Sequence, residues 1–400
     1  MSLNDTPRAD RLHIGIFGRR NSGKSSLINR LTGQEIAIVS DTPGTTADPV
    51  YKSMELHPVG PVVFVDTAGY DDEGELGLLR VQKTREIIDS ADIGIVVVDG
   101  TERREDGFAM EHEWIGALED KGIPVIAAVN KADVESSCGF GIIGVPVVSV
   151  SAVTGEGVDE LRRLIEEAVP EDYLRRRILS GMVDEGSLVV LVMPQDIQAP
   201  KGRLILPQVQ TLRELLDRKC TAVATTADNF ERTLATLRRE PDLIVTDSQC
   251  FRQVYDSKPA ASLLTSFSVL FAAYKGDIDK FTAGAECISS LTSSSRVLIA
   301  EACTHVPLGE DIGRVKIPRV LRQKAGDGIE IVNVSGNGFP SREELEEFDL
   351  VIHCGACMFN RAHVMSRIAE AEAAGVPITN YGIAIAELTG ILDKITLPGN

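Results

Sequence analysis

The stretch HIGIFGRRNSGKSSLINRLTG, residues 13–33, decides the first fold of this chain. HIGIF (13–17) is a short apolar run of strand type, GRRNSGKSS (18–26) a turn-forming loop, and LINRLTG (27–33) has helical spacing. Gly18-x4-Gly23-Lys24-Ser25 therefore matches a phosphate-binding loop in its strand–loop–helix context. Glycines let backbone amides close around phosphates, and the following helix aims its positive N-terminal end at them. Lys24 can reach the β- and γ-phosphates, and the Ser25 hydroxyl can ligate magnesium. Gly18, Asn21, Ser22, Gly23, Lys24, Ser25 and Ser26 form the expected contact set of the loop. The loop alone does not separate ATP from GTP.

Later segments make that separation. VVFVDTAGY (62–70) is a buried-strand run ending in Asp66-Thr67-Ala68-Gly69, where Asp66 can hold magnesium and the Gly69 amide can sense a γ-phosphate. VIAAVNKAD (125–133) ends another apolar run in Asn130-Lys131-x-Asp133, the guanine-recognition motif of small GTPases. The Asp133 carboxylate suits the ring NH and amino groups of guanine, which adenine does not present. VVSVSAVTG (147–155) supplies Ser151 and Ala152, where a backbone amide meets the guanine oxygen.

SDTPGTTADPV (40–50) resembles the first switch of the GTPases related to bacterial tRNA-modification and ribosome-assembly G proteins. By that resemblance Thr46, rather than Thr45, binds magnesium, and Lys24, Thr46 and Gly69 act at the reacting phosphate. Tyr70 stands where Ras-type enzymes carry a water-orienting glutamine, so hydrolysis is expected to be slow. Asn21 matches the asparagine that helps hold potassium in cation-activated members. Asp71, Asp72, Glu73 and Glu75 read as a solvated switch segment, and none is assigned as a base.

The whole chain is acidic, with a net charge of −18, which opposes non-specific nucleic-acid binding. The triplet RRR at 175–177 reads as a solvated face within a helical run. No apolar run approaches the roughly 20 residues that span a bilayer, and the polar start MSLNDTPRADRLH lacks a signal-peptide core. A cytoplasmic location is expected. Seven cysteines make a disulfide framework improbable there, and Cys138, Cys220, Cys250 and Cys287 stand singly.

Four hundred residues suggest two or three domains. After the helical run DELRRLIEEAVPEDYLRRRIL, the segments SLVVLVMP (187–194), VQTLRELLDRK, TAVATT, NFERTLATLRR and DLIVTDS alternate between strand and helix without a cluster of chemistry. QDIQAPKGRLILPQ reads as an extended loop, and ASLLTSFSVLFAAY (261–274) as a core helix or a dimer contact. The expected fold is an α/β chain of three domains. These are a phosphate-loop GTPase fold at 1–175, a small α/β middle domain at 176–274 and a parallel-sheet α/β domain at 275–400.

In the last of these, strand-like RVLIAEA (296–302) runs into Cys303 and His305, and DLVIH (349–353) into Cys354 and Cys357. Ligands gather beyond the carboxyl ends of parallel strands, so the two groups are expected on one edge. The pattern is Cys303-x-His305 followed by His353-Cys354-x-x-Cys357. A disulfide oxidoreductase needs only the last pair. Structural zinc fits a three-cysteine, one-histidine set. A 4Fe–4S cluster fits with three cysteines and one weaker ligand such as His305, His353, Glu301 or water. On these residues alone zinc is slightly favoured. His363 reads as a packing or solvated histidine in the next helix.

A GTPase domain, a linker domain without evident chemistry and this C-terminal pattern together resemble the HydF-type FeFe-hydrogenase maturation GTPases, over essentially the whole chain. The resemblance moves the metal from zinc to a 4Fe–4S cluster on Cys303, Cys354 and Cys357, with His305 and His353 as candidate ligands. It implies a homodimer joined through the middle domain, with GTP, Mg2+, the cluster and K+ as cofactors. It also implies a scaffold role in assembling or delivering a di-iron precursor, with two radical-SAM maturases and the apo-hydrogenase as partners. The rival reading is an RNA- or ribosome-associated GTPase with structural zinc. A GTP-gated thiol redox protein is a third.

Overall fold

The computed structural model describes residues 7–33, 50–67, 75–102, 108–134, 144–194, 204–302, 311–336, 338–356 and 358–399, with the side chains of 75–82 outside that description. The chain forms two compact units, Met1–Arg175 and Arg176–Asn400.

The first unit contains β1 (Leu12–Phe17), α1 (Lys24–Thr32), β2 (Val50–Leu56), β3 (Gly60–Asp66), α2 (Glu75–Ser90), β4 (Ile93–Asp99), α3 (Ala109–Glu119), β5 (Val125–Asn130), β6 (Val147–Ser149), α4 (Val158–Ala168) and α5 (Glu171–Arg175). Its sheet has the order β2-β3-β1-β4-β5-β6, with β2 antiparallel to β3 and every other pairing parallel. β1, β4 and β5 are buried along their whole length because helices cover both faces. Leu27, Ile28 and Leu31 of α1 and Leu161 and Ile165 of α4 pack on one face. Ile87 and Ile88 of α2 and Trp114, Ile115 and Leu118 of α3 pack on the other.

The long helical run expected after Val158 breaks at Pro170. Proline has no N–H for the helix ladder, and it pushes the preceding residue toward extended backbone. Val169 is extended at φ −60°, ψ 123°. Of the arginine triplet only Arg175 is helical, and its side chain is exposed.

The second unit holds two four-stranded sheets. The first comes from β7 (Leu188–Val192), α6 (Leu206–Asp217), β8 (Thr221–Thr225), α7 (Phe230–Thr236), β9 (Leu243–Thr246), α8 (Phe251–Ser257), β10 (Leu263–Ser266) and α9 (Phe267–Lys275). After α10 (Ile278–Glu286), the second comes from β11 (Arg296–Glu301), α11 (Ile317–Ala325), β12 (Glu330–Ser335), α12 (Arg342–Leu345), β13 (Leu350–His353), α13 (Arg361–Ala373), β14 (Ile378–Asn380) and α14 (Tyr381–Leu388). All pairings are parallel, in the orders β10-β9-β7-β8 and β12-β11-β13-β14. The two sheets are thus wound alike. In each, the second strand lies on one side of the first, and the third and fourth lie on the other.

One core runs through both sheets: Val190, Ile244 and Leu264 belong to the same apolar cluster as Val297, Ile299 and Ile352. The stretch 261–274, read as one helix, is instead β10 followed by α9. Ser266 makes the break, because its hydroxyl accepts the Val269 amide at 3.2 Å and caps the helix. Among the described residues no helix is long and apolar enough to cross a membrane.

Candidate functional site

The turn between β1 and α1 is held from within. Gly23 has φ +87°, and a Cβ there would lie 2.1 Å from Nδ2 of Asn130. Gly18 has φ +152°, and a Cβ there would lie 2.5 Å from the Val97 carbonyl. Only glycine fits both places. Asn21 also adopts the left-handed region, at φ 62°. Lys24 is buried, and its ammonium donates to the carbonyls of Gly18 and Arg19 at 2.7 and 2.8 Å. Ser26 is exposed at the start of α1, and Ser22 is buried beneath the loop.

Ser25 and Asp66, the residues expected to share magnesium, are hydrogen-bonded, with the Ser25 hydroxyl donating to Oδ2 of Asp66 at 2.5 Å. Burial pushes the Asp66 carboxyl up, against the pull of Lys24 and the Ser25 hydroxyl. Its other oxygen, Oδ1, is buried with no hydrogen-bond partner among the described residues. A buried carboxylate with an unsatisfied oxygen beside a hydroxyl suits a hard divalent cation. Thr45, Thr46, Gly69, Tyr70, Asp71, Asp72 and Glu73 lie outside the described residues, and Glu75 opens α2.

On the opposite side of the loop Asn130, the last residue of β5, makes two bonds. Its Nδ2 donates to the Ser22 carbonyl at 3.0 Å, and its Oδ1 accepts the Ala152 amide at 3.0 Å. The Ser151 hydroxyl donates to Asp133 at 2.5 Å, which turns that carboxylate toward the Ala152 loop. Lys131, at φ 68°, places its ammonium 2.5 Å from Oδ2 of Asp99. Asp99 ends β4 and escaped the sequence reading, although its position after the run IVVV marks a strand end. So did Glu111, whose carboxylate accepts Arg19 of the loop at 2.9 Å.

In the second unit β11 and β13 are neighbours, so their carboxyl ends open together. The Cys354 amide donates to the Ala300 carbonyl at 2.9 Å, and the Ala302 amide donates to the Cys354 sulfur at 3.0 Å. Cys303, His305 and Cys357 lie outside the described residues, and among those described no three His, Cys, Asp or Glu side chains form a metal-binding group. Cys354 is half-buried, and Ala356 two residues later turns through φ 51°. A cysteine at a strand end, with an amide on its sulfur, suits a soft metal centre.

Near Cys354, Glu301 and His353 are buried. Glu301 accepts the Tyr381 hydroxyl at 3.2 Å and the Arg314 guanidinium at 3.3 Å. Burial pushes the Tyr381 hydroxyl up. His353 is 1% exposed, with Nδ1 2.8 Å from the Cys354 carbonyl and Nε2 3.0 Å from Nη1 of Arg367. Burial, and then Arg367, lowers its imidazole to about 3, so the ring is neutral. His363 lies in the first turn of α13, capped by Asn360, and stacks on Phe359 at 4.0 Å.

Two family models divide the second unit. Residues 178–276 match the hydrogen maturase F dimerization domain, and residues 279–398 match the hydrogen maturase F tetramerization domain. Together they cover more than half of the chain. The chain belongs to the HydF-type hydrogenase maturation GTPases. The GTPase part of this HydF-type chain matches the 50S ribosome-binding GTPase family over residues 13–131.

Its curated relatives include the tRNA modification GTPase MnmE of Koribacter versatilis, 35% identical over 229 residues, covering 55% of this chain and 49% of the relative. The GTPase Der of Solidesulfovibrio magneticus is 38% identical over 165 residues, covering 40% of this chain and 36% of Der. The chain thus spans about half or less of the length of these relatives. Among solved structures, Era of Aquifex aeolicus bound to GDP and AlF4− is 18% identical over 54% of this chain and 93% of Era. The TM-score is 0.35.

Proposed function

We propose that this chain is a GTP-hydrolysing scaffold that assembles or carries a precursor of the hydrogenase di-iron subcluster, with a 4Fe–4S site on Cys303, Cys354 and Cys357. The observation behind this reading is the bond from the Ala302 amide to the Cys354 sulfur. It draws the residue before Cys303 against the first cysteine of the Cys-x-x-Cys turn. When bound, a cluster with three cysteine ligands supplies one iron open to exchange, with His305 or His353 as candidate fourth ligand.

The rest falls to the chain's own residues. Asp133, Asn130, Ser151 and Ala152 select guanine, while Gly18, Ser22, Gly23 and Ser26 line the phosphates with Lys24. Ser25, Thr46 and Asp66 hold magnesium, Asn21 helps hold potassium, and Lys24, Thr46 and Gly69 act at the γ-phosphate. Tyr70 makes turnover slow. Residues 1–175 are the GTP-binding domain, 176–274 join two copies, and 275–400 hold the cluster. The matched dimerization and tetramerization models support self-assembly. Two radical-SAM maturases and the apo-hydrogenase are the partners in the cytoplasm, and switch loops ordered by the γ-phosphate bias release.

The test is iron and acid-labile sulfide content of anaerobically reconstituted protein, with electron paramagnetic resonance after reduction. About four irons and four sulfides per chain are expected, with the reduced signal lost in Cys303→Ala. One tightly held zinc without sulfide sinks the reading and leaves an RNA-associated GTPase with a structural metal.

A further inference from the structure

Arg367 on α13 is 3% exposed, whereas arginines ordinarily keep the guanidinium in water. Its guanidinium lies against the rings of Phe339 and Phe359, 4.8 and 4.6 Å from their centroids. Nη2 donates to the carbonyl of Gly336, the residue that follows β12. Nη1 lies 3.0 Å from Nε2 of His353. A guanidinium has donors and no acceptor, so Nε2 must accept and the ring proton must sit on Nδ1. Nδ1 then donates to the Cys354 carbonyl, 2.8 Å away. One buried cation thus links the end of β12, the last residue of β13 and the first residue of the cysteine turn.

We infer that Arg367 is the positioning residue of this turn: it fixes His353 as the Nδ1–H tautomer, aims the Cys354 carbonyl, and stands as a positive charge behind the cysteine site. Both imidazole nitrogens are committed, so while Arg367 is in place His353 acts on the backbone of the turn, and of the two candidate fourth ligands His305 is the one left. The fork geometry explains why arginine fills the position, since one planar group serves two acceptors while stacking on aromatic rings. The charge has a second effect, which rests on the cluster reading above. A cation beside a thiolate-bound centre favours its more negative, reduced form and raises its reduction potential.

The test compares Arg367→Met and Arg367→Lys in the full chain. Long-range 15N–1H spectra of the metal-free protein report the His353 tautomer, with the signal assigned by its absence in His353→Gln. Redox titration of reconstituted protein reports the potential. The wild type is expected to show the Nδ1–H pattern and Arg367→Met a mixed or Nε2–H pattern with a more negative potential. Arg367→Lys keeps the charge and loses the fork, so a mixed tautomer with a potential near the wild type is expected. An unchanged Nδ1–H pattern in either variant overturns the positioning role, and an unchanged potential in Arg367→Met overturns the electrostatic one. Should Arg367→Met fail to fold, the Arg367→Lys tautomer decides the positioning role, and Arg367→Gln, which removes the charge and keeps polar atoms, decides the electrostatic one: an unchanged potential there overturns it. If no cluster assembles in the wild type, the cluster reading falls and the tautomer still decides the role of Arg367.

Discussion

The two sheets of the second unit share a strand order, and their carboxyl ends differ in nearly everything else. At the end of β13 stand the half-buried Cys354 and a neutral buried imidazole, which a buried arginine of α13 touches. At the ends of β9 and β10 three serine hydroxyls bond one another, while those of Thr246 and Thr265 are buried with no hydrogen-bond partner among the described residues. Ser266 lies 3.0 Å from both Ser248 and Ser268, and Asp247 caps the turn that follows β9. Helix α14 closes over this edge, since a Cβ on Gly382 would fall 2.5 Å from the Ser268 hydroxyl. The winding supplies a place where ligands can gather, and the side chains at that place decide whether any do.

The largest expected effect tests that contrast directly. Cys354→Ala should abolish iron uptake on reconstitution, whereas Ser248→Ala should leave it at the wild-type level. Equal iron in both variants, by metal analysis, would erase the difference between the two edges. A smaller effect probes what holds the second sheet in place. Gly284 of α10 is pressed on β14 so closely that a Cβ would lie 2.0 Å from the Ile378 carbonyl. Overpacking of this kind costs about 1–3 kcal/mol, so Gly284→Ala should lower the melting temperature of this unit by several degrees in calorimetry. Unchanged melting would mean that α10 yields easily.

The smallest effect concerns the first sheet and pH. The Leu188 amide at the start of β7 donates to Asp242 at 2.7 Å, and this bond, with help from Arg239, holds the carboxyl below its ordinary value. A depressed folded value means stability that is present above an unfolded value of about 3.9 and lost as pH falls through the folded one. Asp242→Asn should therefore flatten the loss of stability below about pH 4 and change little at neutrality. The group is largely exposed, so the difference is small, and acid-denaturation curves that superimpose would remove Asp242 from the account.

Local chemistry was readable ahead of the structure, and long-range pairing was not. Gly18 to Ser25 and Asn130 to Asp133 announce themselves by spacing, because their work is done by neighbouring residues at a strand end. Cys354 could be placed for the same reason. Strand order depends on contacts between distant segments, so the like winding of the two sheets left no mark in any short stretch. The run 261–274 misled because strand and helix there are both apolar, and only Ser266 marks the junction. Pro170 is the local signal that ends the preceding helix. Arg367, a charged residue within a helical run, reads as solvent-facing, and nothing local says that two phenylalanines and a histidine will enclose it.

The doubly bonded Asn130 has a consequence for ageing. Its side chain uses one donor and one acceptor, toward the Ser22 carbonyl and the Ala152 amide. Deamidation would replace the donor with a carboxylate oxygen facing a carbonyl. The repulsion would act on the phosphate side while the base side kept its bond. A single hydrolytic lesion, invisible in the backbone trace, would then unlatch the two halves of the nucleotide cradle from each other.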